Sequence, residues 1–248
     1  MNAPILEISN LNKSFGGVIA TSNLSLEILH NELHAIIGPN GAGKTTLISQ
    51  LFGEQMPDSG EVFFKGRKIT RMPTHSRMSV GLARSFQITS VFANMSVLQN
   101  VAIAVQASSS HSFKFWQPAS TQGELIGPAI ELLETVELDA RANTLASALS
   151  HGERRQLEIA MALASDPEFL LLDEPIAGMG AEESAKMIEL LKSLKGNKTI
   201  LLVEHDMDAV FALADRISVL VYGRLIATGI PEEIKSDPQV RRAYLGEV

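Results

Sequence analysis

The feature that most constrains the fold is a glycine-rich segment that follows a short, mainly apolar run, Leu33–Ile37. The next eight residues are Gly38-Pro39-Asn40-Gly41-Ala42-Gly43-Lys44-Thr45. Glycines at this spacing let consecutive backbone N–H groups turn inward around an anion. Lys44 can then reach the outer phosphates of a nucleoside triphosphate, and the Thr45 hydroxyl can face Mg²⁺. The segment Lys44–Phe52 is predicted to be a helix whose positive N-terminal end faces the same anion. The order strand, phosphate loop, helix predicts a nucleotide-binding α/β core.

The composition suits one large α/β domain, or one domain with a sizeable insertion. The chain has 248 residues (26.8 kDa), of which 45% are hydrophobic, which is enough for a substantial core. It has no cysteine, which excludes disulfides, thiolate metal sites and cysteine nucleophiles. Residues 1–10 lack the pattern of a signal peptide, and no apolar run reaches the roughly 18 residues of a bilayer span. We expect a soluble chain whose membrane role depends on a partner.

The net charge of −7 hides an asymmetry along the chain. No Asp or Glu occurs between Glu61 and Glu124, whereas seven basic residues lie in that window: Lys65, Arg67, Lys68, Arg71, Arg77, Arg84 and Lys114. The window carries +7, so the rest of the chain carries −14 (14 basic against 28 acidic residues). Ordinary surface scatter is one interpretation. The other is a surface for an acidic partner or for lipid headgroups.

The apolar pattern predicts an antiparallel sheet near the start of the chain and a helical middle. Alternating segments on either side of the Gly16-Gly17 turn predict an antiparallel strand pair. The predicted elements are strands Ile5–Leu11, Leu24–Ile28, Glu61–Phe64, Lys68–Ile69 and Leu82–Phe86, helices Thr74–Val80, Gly127–Val136 and Glu153–Ala164, and a helix capped by Ser96 that runs to about Ala107. The Ser-rich stretch Ser108–Gln122 is predicted to be a loop or a short irregular insertion.

From Phe169 onward, strands and helices alternate as in the βαβ units of a parallel sheet. The predicted elements are strands Phe169–Leu172, Thr199–Val203, Ile217–Tyr222 and Leu225–Thr228, helices Glu182–Leu194 and Met207–Ala214, a helix start at Pro231 and a final helix near Gln239–Tyr244. The helical middle therefore interrupts an otherwise α/β core.

Two carboxylates, Asp173 and Glu174, follow the apolar strand Phe169–Leu172. A buried parallel strand delivers its last side chains to the sheet edge where the phosphate loop also lies. Asp173 is then placed to hold Mg²⁺, directly or through water, and Glu174 to polarise an attacking water. Phosphoryl transfer needs positioning and charge neutralisation more than covalent help, so such a pair suffices. The alternative is a helix N-cap, which the phosphate loop upstream disfavours.

A third motif, Leu149-Ser150-His151-Gly152-Glu153, opens a predicted helix 23 residues before Asp173. The phosphate loop, this motif and the apolar strand with Asp-Glu-Pro together resemble the ATP-binding cassette (ABC) ATPases along the whole chain. The resemblance implies a single cassette domain over residues 1–248, with a RecA-like P-loop NTPase core and an antiparallel β subdomain in residues 1–87 and 167–248. It also implies that residues 88–166 form an inserted helical subdomain.

The resemblance further implies that two copies pair head to tail around shared ATP. ATP and Mg²⁺ would be held by the phosphate loop, Gly38 to Thr45, together with Thr46, while Ser150 and Gly152 would contact the partner's γ-phosphate in trans. A helix N-terminus there suits an anion, although the motif alone is also typical of an ordinary helix cap.

Three more residues are assigned by their match to the family pattern. Gln87 would sense Mg²⁺ and water, His205 would contact the γ-phosphate, and Phe15 would stack on adenine. The predicted catalytic residues are thus Glu174, His205 and Gln87, and the predicted Mg²⁺ contacts come from Thr45, Gln87 and Asp173.

The chain departs from the family pattern at the third motif and after Asp-Glu-Pro. His151 stands where glycine is usual and Glu153 where glutamine is common, and Gly180 stands where aspartate is usual. His151 adds bulk close to the partner's phosphate, and a charge that depends on protonation. Because neither departure touches Asp173 or Glu174, we expect hydrolysis to survive with altered coupling between the two sites.

Softer features resemble the ATPases of bacterial branched-chain amino-acid importers, and share much with urea and amide importers. These are Phe15-Gly16-Gly17, Ala83-Arg84-Ser85-Phe86-Gln87, Met95-Ser96-Val97-Leu98-Gln99-Asn100-Val101 and Arg242-Ala243-Tyr244-Leu245-Gly246. The implied partners are membrane permease subunits, a second ABC ATPase subunit (in a homodimer or heterodimer) and, indirectly, a periplasmic or extracellular binding protein, with no nucleic acid. The implied location is the cytoplasmic face of the inner (plasma) membrane, as a peripheral subunit.

Other interpretations stay open at this point. The chain also resembles the ATPases of lipopolysaccharide and other export complexes. A soluble ABC ATPase that acts on DNA or ribosomes would carry two cassettes or a coiled-coil insertion, and neither pattern occurs here. A nucleotide-binding regulator without turnover is the last alternative. The transported solute and the direction of transport do not follow from these residues.

Overall fold

The computed structural model describes residues 3–85, 91–108 and 123–245. Its strands are β1 Leu6–Phe15, β2 Val18–Ile28, β3 Leu33–Ile37, β4 Ser59–Phe64, β5 Arg67–Lys68, β6 Leu82–Arg84, β7 Phe169–Asp173, β8 Thr199–Val203, β9 Arg216–Val221 and β10 Arg224–Gly229. Its helices are α1 Lys44–Phe52, α2 Thr74–Ser79, α3 Val97–Ser108, α4 Gly123–Thr135, α5 His151–Leu163, α6 Ala181–Leu194, α7 Met207–Leu213, α8 Pro231–Ser236 and α9 Pro238–Val240, and a π-helical turn, Arg241–Leu245, follows α9. The predicted loop Ser108–Gln122 lies almost entirely outside the described residues.

The strands form two sheets of different character. One is antiparallel with the order β2-β1-β4-β5, and the other has the order β10-β9-β3-β8-β7-β6. In the second sheet all the neighbouring pairs are parallel except β10 with β9. Both predicted sheets are confirmed, and with them the α/β fold class.

The parallel sheet is buried on both faces. Every residue of β3, β7 and β8 is buried, as expected for parallel strands covered on two sides. Successive side chains point to opposite faces. Leu170 and Leu172 therefore join a core shared with α3–α7, whereas Phe169 and Leu171 join a core shared with α1 and the antiparallel sheet.

The helices α3, α4 and α5 pack on one another beside the parallel sheet. Their inward residues, such as Val101, Leu133 and Leu157, are fully buried in the same core as that face of the sheet. The division of the chain at residues 88 and 166 stays a prediction. In the part of the chain that the structure describes, no helix is both long and apolar enough to cross a bilayer.

Arg77 differs from the expectation that the basic window forms a surface. Its side chain is fully buried, and it donates hydrogen bonds to the carbonyl oxygens of Gln50, Leu51, Thr70 and Met72. Burial lowers the pKa of Arg77 to about 10. Because it ties the end of α1 to the segment before α2, Arg77 stabilises the fold and is not available to a partner. Arg84 is also buried, and Lys114 lies outside the described residues.

Candidate nucleotide site

The phosphate loop lies between β3 and α1, at the carboxyl edge of the parallel sheet. Gly41 and Gly43 have positive φ values, +78° and +105°, which side chains other than glycine rarely adopt. A Cβ atom on Gly43 would also collide with the carbonyl oxygen of Ala20 in β2. The loop therefore needs glycine at this position for space as well as for conformation.

Lys44 spans the loop from inside. Its ammonium group donates to the carbonyl oxygens of Gly38 at 2.6 Å and Pro39 at 3.2 Å, and its side chain is largely buried. Burial lowers the pKa of Lys44, while the carboxylates of Glu174 and Asp173 oppose that shift. An outer phosphate could take over these bonds without the lysine crossing open solvent. The Thr45 side chain next to it is exposed, and Thr46 is half-buried.

Asp173 ends β7 and is almost fully buried. Arg84, at the end of the neighbouring strand β6, donates from Nη2 to Asp173 Oδ2 at 3.1 Å and from Nη1 to Glu54 Oε2 at 2.5 Å. Burial raises the pKa of Asp173, and the positive charge of Arg84 opposes this.

Glu174 has a strained backbone. Its φ is +51°, in a region that non-glycine residues rarely occupy and in which residues of functional sites recur. Its N–H donates to the carbonyl oxygen of Val203 in β8 at 2.8 Å, which holds the turn after β7. The carboxylate is partly exposed, and its Oε1 lies 3.7 Å from His205 Nδ1.

His205 follows β8, and the residue before it organises this corner. Glu204 is fully buried. Its carboxylate accepts hydrogen bonds from the N–H groups of Ile176 at 2.9 Å and His205 at 3.0 Å. Burial raises the pKa of Glu204, against the effect of these bonds. Glu204 therefore links the segment after Glu174 to His205.

Phe15 ends β1 at the tip of the β1–β2 hairpin. Its ring is 47% exposed, and Lys13 Nζ lies 5.3 Å from the ring centroid. Phe15 pairs with Val18 of β2, and two residues further along, the Ala20 carbonyl packs against Gly43. The hairpin therefore lies beside the phosphate loop with an aromatic face exposed.

Ser150 and Gly152 lie at the start of α5. The Ser150 hydroxyl accepts from the Glu153 N–H at 3.1 Å, and the Glu153 carboxylate accepts from the Ser150 N–H at 2.8 Å. This reciprocal pair is a capping box. The Ser150 hydroxyl also donates to Glu183 Oε1, on α6, at 2.9 Å.

The structure brings part of the predicted set together. Lys44 feels the charges of Asp173 and Glu174, and Glu174 adjoins His205, whereas Gln87 lies outside the described residues. Among the described residues, no group of three or more His, Asp or Glu side chains could hold a metal ion unaided. The Thr45 hydroxyl and the Asp173 carboxylate are oxygen donors of the kind that Mg²⁺ takes, with further ligands from phosphates and water.

The sequence analysis gave Arg84 and Glu204 no role in the site, although each is a charged residue at the end of an apolar strand or directly after one. That position is a usable signal, because a charge in such a place needs a partner. It also missed Glu183, for which the sequence carries no signal, since glutamates in the first turn of a helix are common.

Comparison with known proteins agrees with this geometry. The family model "ABC transporter" matches residues 21–177, and a second model, "Branched-chain amino acid ATP-binding cassette transporter", matches residues 224–248. The chain is 39% identical to the high-affinity branched-chain amino acid transport ATP-binding protein LivG of Salmonella typhimurium, with both chains fully covered. It is 34% identical to the lipopolysaccharide export system ATP-binding protein LptB of Haemophilus influenzae, with 98% of each covered.

Solved structures give the same result. The ADP conformation of MJ1267, an ATP-binding cassette of an ABC transporter, has a TM-score of 0.88 and 31% identity, covering 99% of this chain and all of that one. A dimeric post-hydrolysis structure of the ATP-binding cassette MJ0796, bound to ADP and phosphate, has a TM-score of 0.76 and 26% identity over 91% of this chain and 98% of that one. The chain therefore belongs to the ABC transporter family, as one of its ATP-hydrolysing cassettes.

Proposed function

We propose that this chain powers an importer of branched-chain amino acids, by hydrolysing Mg-ATP at the seam between two cassettes. The importer assignment is supported by the full-length similarity to LivG and by the family model that matches residues 224–248. The export alternative has weaker support, since LptB is less similar. The chain's partners are then permease subunits and a second cassette, and its place is the cytoplasmic face of the membrane that holds the permease.

Nucleotide binding follows from the phosphate loop and its surroundings. Backbone N–H groups of the loop and of the first turn of α1 face the phosphates, and Lys44 exchanges its bonds to Gly38 and Pro39 for phosphate oxygens. Phe15 stacks on the base. Thr45 and Asp173 would hold Mg²⁺, with Gln87 as a further contact, and the ion would neutralise charge on the phosphate oxygens.

Hydrolysis depends on the corner formed by the ends of β7 and β8. Glu174 accepts a hydrogen bond from the attacking water and orients it toward the γ-phosphate. His205, 3.7 Å from the Glu174 carboxylate, contacts the γ-phosphate. Ser150 and the start of α5 bind the γ-phosphate held by the partner cassette. Closing the dimer thus completes the site, and hydrolysis reopens it.

The observation that carries the proposal is the strained turn at Glu174. Its positive φ and its bond to Val203 aim one carboxylate out of a buried strand end, next to Asp173 and His205. The variant Glu174→Gln keeps the shape but removes the basic oxygen. We expect ATP hydrolysis to fall by about 100-fold or more, while ATP binding, measured by fluorescence of a labelled nucleotide, stays within about threefold.

A matched control is Glu168→Gln, which changes an exposed carboxylate just before the same strand. Glu168 pairs with Lys65 at the surface, and such pairs contribute little. The control should hydrolyse ATP at the wild-type rate. A Glu174→Gln enzyme with wild-type turnover would contradict the catalytic assignment.

The substrate needs a separate test. Uptake of labelled leucine into cells that lack this gene should be restored by the wild-type chain and not by Glu174→Gln. Unchanged leucine uptake in the deleted strain would remove the importer assignment while leaving the ATPase intact. A defect in outer-membrane lipopolysaccharide instead would support the export alternative.

A further inference from the structure

The Ser150 hydroxyl already donates its one proton within the chain. Its oxygen accepts from the Glu153 N–H, which caps α5, and its proton is donated to Glu183 Oε1 at 2.9 Å. A serine hydroxyl has one proton to donate. Ser150 can therefore donate to Glu183 or to a phosphate oxygen, but not to both at once.

The Glu183 carboxylate also fills the space above the first turn of α5. A Cβ atom built on Gly152 would lie 2.9 Å from Glu183 Cδ and 3.0 Å from its Oε1. The gap left by the glycine is thus occupied by a carboxylate, on the positive end of a 13-residue helix. The Glu183 carboxylate thus accepts a hydrogen bond from a serine beside the first turn of a helix. That environment also suits a phosphate.

We propose that Glu183 is a further residue of the nucleotide site and sets its affinity for the partner's ATP. In the unpaired cassette its carboxylate occupies the position of the partner's γ-phosphate, and it moves aside when the dimer closes. The proposal rests on the proposed function, because it takes Ser150 as the trans contact of the γ-phosphate.

The surroundings provide a place for the displaced side chain. Glu183 is half-buried and borders a cavity of about 320 Å³, which is also lined by Gln156, Glu182 and Lys186. Lys186 lies one turn along α6. Its hydrogen bond to Glu182 and the charge of Glu182 are the main causes that raise its pKa, and the negative charge of Glu183 adds a smaller effect. After displacement, the carboxylate can turn toward this ammonium group within the same helix.

The sign of the effect follows from two terms that act in the same direction. Removing the charge of Glu183 frees the Ser150 proton for a phosphate, because a neutral amide is a weaker acceptor than a carboxylate. It also removes a negative charge close to an incoming phosphate. Glu183→Gln should therefore strengthen ATP-driven pairing.

The experiment uses the full chain in a Glu174→Gln background, in which ATP is bound but not turned over. Light scattering measures the ATP concentration that gives half-maximal dimer. We expect Glu183→Gln and Glu183→Ala to lower that concentration by about tenfold. The control Glu189→Gln, an exposed residue further along the same helix that pairs with Lys192 at 2.9 Å and does not line this cavity, should leave it unchanged.

Two outcomes overturn the proposal. If Glu183→Gln needs the same ATP concentration as the control for half-maximal dimer, whether or not its melting temperature falls, Glu183 has no role in ATP-driven pairing. If it needs more ATP, the Glu183 carboxylate favours pairing instead of opposing it. Ser150→Ala should abolish the dimer in the presence or absence of Glu183. If the parental chain does not pair with ATP at all, the proposed function itself fails, and that result is distinct because it appears before any Glu183 variant is made.

Discussion

At the scale of single residues, Arg77 and Glu158 show how differently two buried charges are accommodated. Arg77 donates to four carbonyl oxygens, so its burial is compensated. Glu158, on α5, has one carboxylate oxygen paired with Arg155 at 2.9 Å. The other, Oε1, is buried without a hydrogen-bond partner among the described residues. This oxygen loses its hydration on folding without gaining a hydrogen bond, which destabilises the folded state.

Replacement of Glu158 by glutamine should stabilise the chain, and more so as the pH rises. Burial raises the pKa of Glu158 above its ordinary value of 4.5, against the effect of Arg155. The fold therefore favours the protonated form of Glu158. The stability that this form provides is fully present below the pKa that Glu158 has in the unfolded chain. It is lost as the pH rises through the higher pKa of the folded chain. Glutamine does not ionise. We expect Glu158→Gln to match wild type near about pH 4 and to gain about 1 kcal/mol near about pH 8.

Thermal unfolding of both chains across that pH range measures the difference. Glu189→Gln is a suitable control, because Glu189 is an exposed residue paired with Lys192. The difference in stability between this variant and wild type should not change with pH. If the stability of Glu158→Gln follows that of wild type across the pH range, or falls below it at high pH, the ionised carboxylate is well accommodated in the fold.

The residues that the sequence could identify are those whose roles are local. Gly43, Lys44 and Asp173 are recognisable because their spacing along the chain sets their chemistry. The contacts of Arg84 and Glu183 could not be predicted, since Asp173 lies 89 residues from Arg84 and Ser150 lies 33 from Glu183. The backbone strain at Glu174 also depends on a neighbouring strand, which the sequence does not place.

At the scale of elements, the phosphate loop has two glycines that both adopt positive φ values but have different surroundings. Gly41 has open space where a Cβ would lie, whereas Gly43 faces the carbonyl oxygen of Ala20. Gly41→Ala should therefore cost only the strain of a positive φ, about 1 kcal/mol. Gly43→Ala adds a backbone collision, so the loop or β2 must shift.

We expect Gly41→Ala to bind a labelled ATP analogue within about tenfold of wild type, and Gly43→Ala to lose binding by about 100-fold or more. Melting temperatures measured without nucleotide separate loss of the fold from loss of the site. Equal effects of the two substitutions would mean that conformation alone decides, and that the contact with Ala20 is unimportant.

Element boundaries were predictable where burial was continuous. The bounds of α1 match the sequence prediction. Those of β3 and β8 match as well, because strands buried on both faces are nearly continuous apolar runs, here with His34 and Thr199 as the polar members. β1 and β2 are longer than predicted, since the register of β1 with β2 shifts after Ile8 and again around Leu11 and Lys13. Such bulges break the alternation of apolar and polar residues on which a strand prediction rests.

At the scale of the whole molecule, the basic window is less uniform than its sequence suggested. Arg77 and Arg84 are inside the fold, Lys65 pairs with Glu168, and Lys68 pairs with Glu61. Arg67 and Arg71 remain exposed, and neither forms an ion pair with a residue that the structure describes. Within the described part of the window, any attraction for an acidic permease surface or for anionic headgroups must therefore come mainly from these two residues.

Charge reversal at Arg71 tests that attraction, whereas reversal at Arg77 would place a carboxylate against four carbonyl oxygens and unfold the chain. We expect Arg71→Glu to reduce co-purification with the membrane subunits by about tenfold at low salt and by less at high salt, because a surface charge is screened. Lys192→Glu changes the net charge equally on α6, outside the window, and should leave assembly unchanged. If both variants co-purify to the same extent, the asymmetry is ordinary surface scatter, and docking rests on shape and apolar contact.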